Sequence, residues 1–588
     1  MLFNIAHMAR ALGRLAEARA HAESALKIIE SLRTKVVSQE LRSSYFATAQ
    51  GQYEFYIDLL MQIHKQMPSE GNNAIALQAV ERARARSLLE SLAEANADVR
   101  QGVDSILLAR ERSLQQRLNQ KAEELLKLEA NKADETRLAA SKREADALTI
   151  ELQQVQTQIR QTSPRYAALT QPQPLATAEI QRQALDADTL LLEYSLGAER
   201  SFLWAVTPTA INSYELPKRE AIEAAAQRIH GLLSDPSGVR GQTAKPRDLR
   251  LKETRGQYVA AAASLSQMLL GPVASQLGRK RVVIVADGIL HYIPFGALPD
   301  PNRRTESDGN WQPLVVEHEI VNLPSASTLA VLRRELAGRK PAAKTLAVLA
   351  DPVFTTDDER FKARANRAAP KPDESVAGLA RQRILKQLAQ AKDGLKIARL
   401  PFTRQEAEQI LALAPAGAGM KALDFEASRA TAASERLGQY RDIHFATHGL
   451  ADSERPELST IVLSLFDEQG KPQDGFLRAH EVFNLNLPAE MVVLSACETG
   501  LGRLTRGEGL VSLTRGFMYA GAARVVVSLW SVNDQATAEL MTKFYRKILI
   551  ERELPAAALR AAQIEMWRDK RWEAPYYWAA FTLQGEWR

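Results

Sequence analysis

At 588 residues the chain is too long for one hydrophobic core, and roughly three or four domains are expected. Its composition, 45% hydrophobic and 25% charged, is that of an ordinary globular protein, and 76 basic against 70 acidic side chains leave a net charge of +6. So small an excess argues against direct nucleic-acid binding, and a single cysteine excludes an intramolecular disulfide framework or a CxxC metal or redox site.

No run reads as a membrane span, and the start, Met1 to Arg10, lacks the charged and apolar regions of a signal peptide. It reads as the middle of a helix, so the expectation is a cytoplasmic protein, with a repeat array that extends upstream of this chain. Residues 1–100 are helical and rich in Ala, Leu, Glu and Arg. Gly13, followed by Ala18, Ala22 and Ala25, resembles the second half of a tetratricopeptide repeat, with an unclassified helical hairpin as the alternative. A second pair is expected from Tyr45 to His64 and from Asn73 to Leu92, split by Pro68 and Gly71.

Residues 101–165 change character. Leu107, Leu114, Leu118, Leu125 and Leu128, then Ala145, Leu148, Leu152, Val155 and Ile159, recur mostly at three- and four-residue steps among charged residues. The break at 130–137 predicts an antiparallel coiled-coil hairpin, a parallel dimer being the alternative. Pro174 closes the helical region.

From about residue 180 the period becomes that of strands. Thr189–Tyr194, Ser201–Val206 and Ala210–Glu215 predict a hairpin and its continuation. Apolar runs at Arg281–Ala286, Thr345–Ala350, Asp442–Ala446, Met491–Ser495 and Arg524–Leu529 alternate with helical stretches, which predicts an α/β domain with a largely parallel sheet flanked by helices. A basic stretch between Ala350 and Leu400 reads as a surface excursion open to proteolysis.

Ligands of open parallel sheets collect beyond the carboxyl ends of the strands. His448 and the lone Cys497 each fall just past such an end, which suits a base and a nucleophile. A free thiol is only a few per cent ionised at neutral pH, and a positioned imidazole removes its proton and later supplies one to the leaving amine. The backbone N–H groups of Gly449 and Cys497 are the candidate oxyanion hole. Gly500 and Gly502 would keep the following loop open to a peptide. His444 competes for the role of base, but strand alternation places it within the strand body as a satisfied structural residue.

The blocks His444-Phe-Ala-Thr-His-Gly-Leu450 and Leu494-Ser-Ala-Cys-Glu-Thr-Gly-Leu-Gly502 resemble the two active-site blocks of CHAT domains, caspase-like peptidases associated with tetratricopeptide repeats. The resemblance continues through 507–522, Val527–Asp534 and Pro575–Phe581, and upstream through Asp287–Leu298 and Asn322–Ser327, covering about residues 180–588. It implies a caspase/separase-like domain with an upstream half at 180–340 and a catalytic half at 341–588. It further implies a cysteine endopeptidase that uses His448 and Cys497, acts on protein substrates without a metal or cofactor, and is controlled by a protein partner on the helical region. Asp287 and Asp534 are candidate acids for a basic P1 side chain. Asp534 alternatively caps the helix from Gln535 to Ile550, and Glu508 the N-terminus of its own helix. Two rival readings are a catalytically silent scaffold and a nucleotide-binding α/β protein, the latter suggested by Gly500, Gly502, Gly507 and Gly509.

Overall fold

Small residues decide how the first helices meet. Leu2–Ala11 and Leu15–Arg33 pack with Ala6, Ala9, Ala18 and Ala22 buried, where short side chains let two backbones approach closely. Gly13, at φ 75°, closes the turn between them in the left-handed region that other residues adopt with strain. The computed structural model describes residues 1–33, 39–84, 104–130, 135–162, 175–234, 247–303, 311–355, 358–360, 397–450, 459–495, 503–505, 509–511 and 513–588. The next two helices run Gln39–Gln66 and Asn72–Ala83, separated by a 3-10 turn at Pro68–Glu70. The first is longer than expected, because helix-favouring Gln, Glu, Leu and Arg extend it beyond its apolar stripe. The second stops short of Leu92: Arg84 is already extended, and residues 85–100 lie outside those described.

The coiled-coil stripe forms the expected antiparallel hairpin within one chain. Ser105–Ala130 and Glu135–Thr162 pack through Leu114, Leu118, Leu125, Ala145, Leu148, Leu152, Val155 and Ile159. Its direction follows from the ion pairs. Lys121 meets Glu144 at 2.6 Å and Arg117 meets Glu151 at 4.0 Å, so positions rise on one helix as they fall on the other. Such exposed pairs contribute little stability, and the apolar seam holds the hairpin.

Strands follow in chain order: β1 (Thr189–Ser195), β2 (Ser201–Val206), β3 (Ile211–Leu216), β4 (Arg281–Val285), β5 (Ile320–Asn322), β6 (Lys344–Pro352), β7 (Gly419–Asp424) and β8 (Tyr440–Ala446). Then come β9 (His448–Leu450), β10 (Thr460–Val462), β11 (Phe476–Arg478), β12 (Met491–Ser495), β13 (Arg503–Thr505), β14 (Gly509–Val511), β15 (Arg524–Ser528) and β16 (Phe581–Gly585). Eleven of them form one mixed sheet in the order β3-β2-β1-β4-β5-β16-β15-β12-β8-β6-β7. Pairing is antiparallel at the β3-β2-β1 edge and between β15 and β16, and parallel elsewhere. The all-apolar runs Val492–Leu494 and Val525–Val527 are fully buried, as strands covered on both faces require. Each such side chain contributes about 1.5–3 kcal/mol when removed from water. The chain is therefore a helical and coiled-coil region followed by an α/β domain with a mostly parallel sheet, as its period predicts.

Polar contacts lock the helical region to this sheet. Glu81, wholly buried at the end of Asn72–Ala83, accepts the N–H groups of Ala326 and Ser327 at 2.9 and 2.8 Å, capping the helix Ala326–Leu336. Arg84 donates to the carbonyls of Val285 and Ala286 at the end of β4. The coiled-coil hairpin docks elsewhere, where the Asn119 side chain donates to Glu481 at 3.0 Å beside β11.

Candidate active site

β8 lies between β6 and β12, and the register aligns Ala350, Ala446 and Ser495 at the carboxyl ends of the three parallel strands. His448 comes two positions after Ala446, where the chain leaves the large sheet. It enters a three-stranded sheet in which His448 sits opposite Val462 on β10, and β10 pairs in turn with β11. Beneath this small sheet Val353, Phe354, Phe425, Val462, Leu465 and Phe466 form a separate apolar cluster. The ring of Phe354 lies 5.4 Å from that of His448.

A carbonyl can only accept, so the 2.7 Å contact between His448 Nε2 and the Ala398 carbonyl places the ring proton on Nε2. Nδ1 then carries a lone pair and has no hydrogen-bond partner among the described residues. Burial lowers the imidazole pKa from its ordinary 6.5, opposed in part by the bond to Ala398. The neutral, proton-accepting form therefore prevails at pH 7.

Ala398 belongs to a segment that is anchored immediately beside it. Arg399 holds the buried carboxylate of Asp351 through a fork, Nε to Oδ1 at 2.9 Å and Nη2 to Oδ2 at 2.8 Å. Asp351 ends the apolar run of β6 with φ at 47° and also receives Arg404 Nε at 2.8 Å and Arg360 Nη1 at 2.9 Å. Asp424, at the end of β7 with φ 54°, shares Arg360 and Arg404. Three guanidinium groups around one buried carboxylate offset its desolvation, whereas losing a partner would leave a charge unpaired.

The other candidates fall in different places. Gly449 follows His448 on β9, opposite Ile461. Cys497, Gly500, Gly502, Gly507 and Glu508 lie outside the described residues, as do 361–396 of the basic stretch; the described part of β12 ends at Ser495. Gly509 sits in β14, opposite Thr505 in a short hairpin. His444 is buried in mid-strand as alternation predicts, 2.8 Å from Glu406 and edge-on to Tyr545, but it is only half satisfied, its Nδ1 having no hydrogen-bond partner among the described residues.

Asp534 does not cap its own helix, Asp534–Leu549. Asn533 does so by accepting the N–H of Ala536 at 2.9 Å, being the residue whose backbone is still extended. Asp534 instead accepts the N–H of Phe402 at 3.0 Å and thereby caps Pro401–Leu411, the helix that follows Arg399. Asp287 accepts the N–H of Leu196 at 2.7 Å and lies 3.7 Å from Arg84. It follows β4, which is five strand positions from β8, on the order of 24 Å. The structure thus gathers His448, Gly449 and Asp534 at one end of the sheet and leaves Asp287 at another.

Sequence reasoning missed Ala398, Arg399 and Asp351. The strand-end rule that singled out His448 would have found Asp351, directly after Ala350. Among the described residues there is no cluster of His, Cys, Asp or Glu suited to a metal ion, and no helix is long and apolar enough to cross a membrane.

Comparison with known proteins agrees with the motif resemblance. The family model for the CHAT domain matches residues 259–586. Tetratricopeptide repeat protein 28 of Mus musculus is 37% identical over 109 residues, and that of Homo sapiens is 34% identical over 113. These matches take in 18% and 19% of this chain and span about 4% of the length of each relative. Among solved structures, the Saccharomyces cerevisiae separase–securin complex superimposes with a TM-score of 0.44 at 9% identity, covering 99% of this chain and 46% of that one. The Arg-specific cysteine proteinase gingipain R superimposes with a TM-score of 0.29 at 11% identity, covering 63% and 75%.

Proposed function

The chain belongs to the CHAT domain family, and from that premise we propose that it is a cysteine endopeptidase with Cys497 as nucleophile and His448 as base. The observation that carries this reading is the alignment of Ala446 with Ser495, from which His448 and Cys497 each follow by two positions. Adjacent parallel strands lie about 4.8 Å apart, within the reach of two side chains across a cleft.

His448 Nδ1 takes the proton of the Cys497 thiol, and the sulfur attacks the scissile carbonyl carbon. The oxyanion forms in reach of the Gly449 and Cys497 N–H groups, and each such donor lowers the barrier by about 3 kcal/mol. The imidazolium returns its proton to the leaving amine as the C–N bond breaks. Water then cleaves the thioester, restoring thiol and base. Asp534, set among backbone and acidic groups near the strand ends, is favoured over Asp287 as the acid facing a basic P1 side chain. The substrate is a protein, no cofactor enters, and the setting that suits a lone reduced thiol is the cytoplasm.

The helical region supplies the control: a protein partner on the repeats or the coiled-coil hairpin releases activity. Support comes from the hairpin's docking on β11, in the same small sheet as His448. The rival reading, a silent scaffold, keeps the same contacts without turnover. A cysteine-directed peptide electrophile separates the two. Labelling of wild type and not of Cys497→Ala is expected. No Cys497-dependent labelling, even with a binding partner supplied, would sink the peptidase reading.

A further inference from the structure

We propose that Arg399 and Asp351 are positioning residues for His448: their ion pair holds the Ala398 carbonyl against the imidazole Nε2–H and so keeps Nδ1 as the proton acceptor. Ala398 and its neighbours 397–400 form neither helix nor strand, and Ala398 itself is exposed, so the carbonyl's place must be fixed by what the flanking residues grip. Ile397 packs on the Val353–Phe354 cluster and Arg399 forks onto Asp351. Asp351 is a fixed anchor: its carboxylate is fully buried at the end of a central parallel strand and held by Arg360 and Arg404 as well. The linkage thus runs from the end of β6, through one side chain and one peptide unit, to the ring on β9. A neutral imidazole without such an acceptor distributes its proton over both nitrogens, and a proton on Nδ1 leaves no lone pair facing away from Ala398.

This inference rests on the reading of His448 as base, but its test does not need turnover. Arg399 and Arg404 both donate to Asp351, and only Arg399 adjoins Ala398. The full chain is labelled with 15N-histidine, and the His448 ring signals are identified by their loss in His448→Gln. Wild type and Arg404→Gln should show the Nε2–H tautomer. Arg399→Gln should show Nδ1–H rising at least several-fold, and where turnover is measurable, kcat falling about tenfold with little change in KM. Arg399→Lys, which keeps the charge without the fork, serves if the glutamine variant does not fold, and should lie between them. Wild-type tautomer signals in the Arg399 variants, or an equal change in Arg404→Gln, would overturn the proposal. Absence of Cys497-dependent cleavage would count against the peptidase reading alone, because the tautomer comparison stands without it.

Discussion

The Oδ2 of Asp534 accepts the backbone N–H of Phe402 at 3.0 Å, so the first residue of one helix caps another helix that begins 133 positions earlier, at Pro401. The capped helix is the one that leaves the Ala398–Arg399 segment, and the cap therefore bears on how that segment is presented to His448.

Burial, reinforced by the nearby Glu406 and Asp351, raises the Asp534 carboxyl to about 6 from an ordinary 3.8. Between those values the folded chain binds more protons than the unfolded one. The stability it contributes is present in full below pH 3.8 and is lost as pH rises through about 6. Asp534→Asn keeps an acceptor for Phe402 and removes the charge. It should match or exceed wild type at pH 7.5 by up to about 1 kcal/mol, a figure reduced for the group's partial exposure, and lose that advantage near pH 4. Urea denaturation at both values checks this, and an equal destabilisation at both would contradict it.

His448 titrates below its ordinary 6.5 because burial disfavours its cation. The unfolded chain thus binds the extra proton first, and the stability linked to this group declines as pH falls below about 6.5. For a base that must be neutral, kcat/KM should likewise fall on an acid limb centred below 6.5. A pH–rate profile, or an NMR titration of the ring, reads this value directly. An acid limb or ring titration centred above 6.5 would be the contrary result.

His444 and Glu406 are fully buried together, 2.8 Å apart, and removing one leaves the other without its hydrogen-bond partner. His444→Ala, which also empties the space of a buried ring, should cost about 3–5 kcal/mol in thermal or chemical denaturation. His448→Ala, at a half-buried ring, should lose activity with far less effect on stability. Equal stability losses in the two variants would contradict this division of roles.

Asn119 joins the coiled-coil hairpin to the α/β domain, through Glu481 and through His480 Nε2 at 3.0 Å. Asn119→Ala should weaken that docking by about 1–3 kcal/mol. Hydrogen exchange should quicken in 105–162 and also in 460–478, because β11 pairs with β10 and β10 with the strand of His448. Exchange unchanged in 460–478 would break the supposed route from hairpin to site.

Periodicity sufficed for the layers. The heptad-like leucines specify the hairpin, and the β-branched runs specify the central strands, because burial on both faces leaves a continuous apolar signature. The same alternation separated His444 from His448. What stayed hidden depends on contacts remote in sequence. Ala398 has no side-chain signal, since only its carbonyl is used. Asn533 outcompetes Asp534 as cap because the helix begins at Asp534 itself, one residue earlier than a cap at that position would require. Asp287 follows the end of β4 and Asp534 opens a helix beyond the end of β15, but strand order and direction, which no local pattern encodes, set β4 five positions from β8 and antiparallel to it.

Protein cleavage mapped by new N-termini tests the central claim most directly. A cell lysate would be incubated in parallel with the full wild-type chain, Cys497→Ala and His448→Ala. The account predicts a set of new N-termini with a shared preference at P1, produced by wild type and absent from both variants. Identical N-termini in all three samples would contradict it.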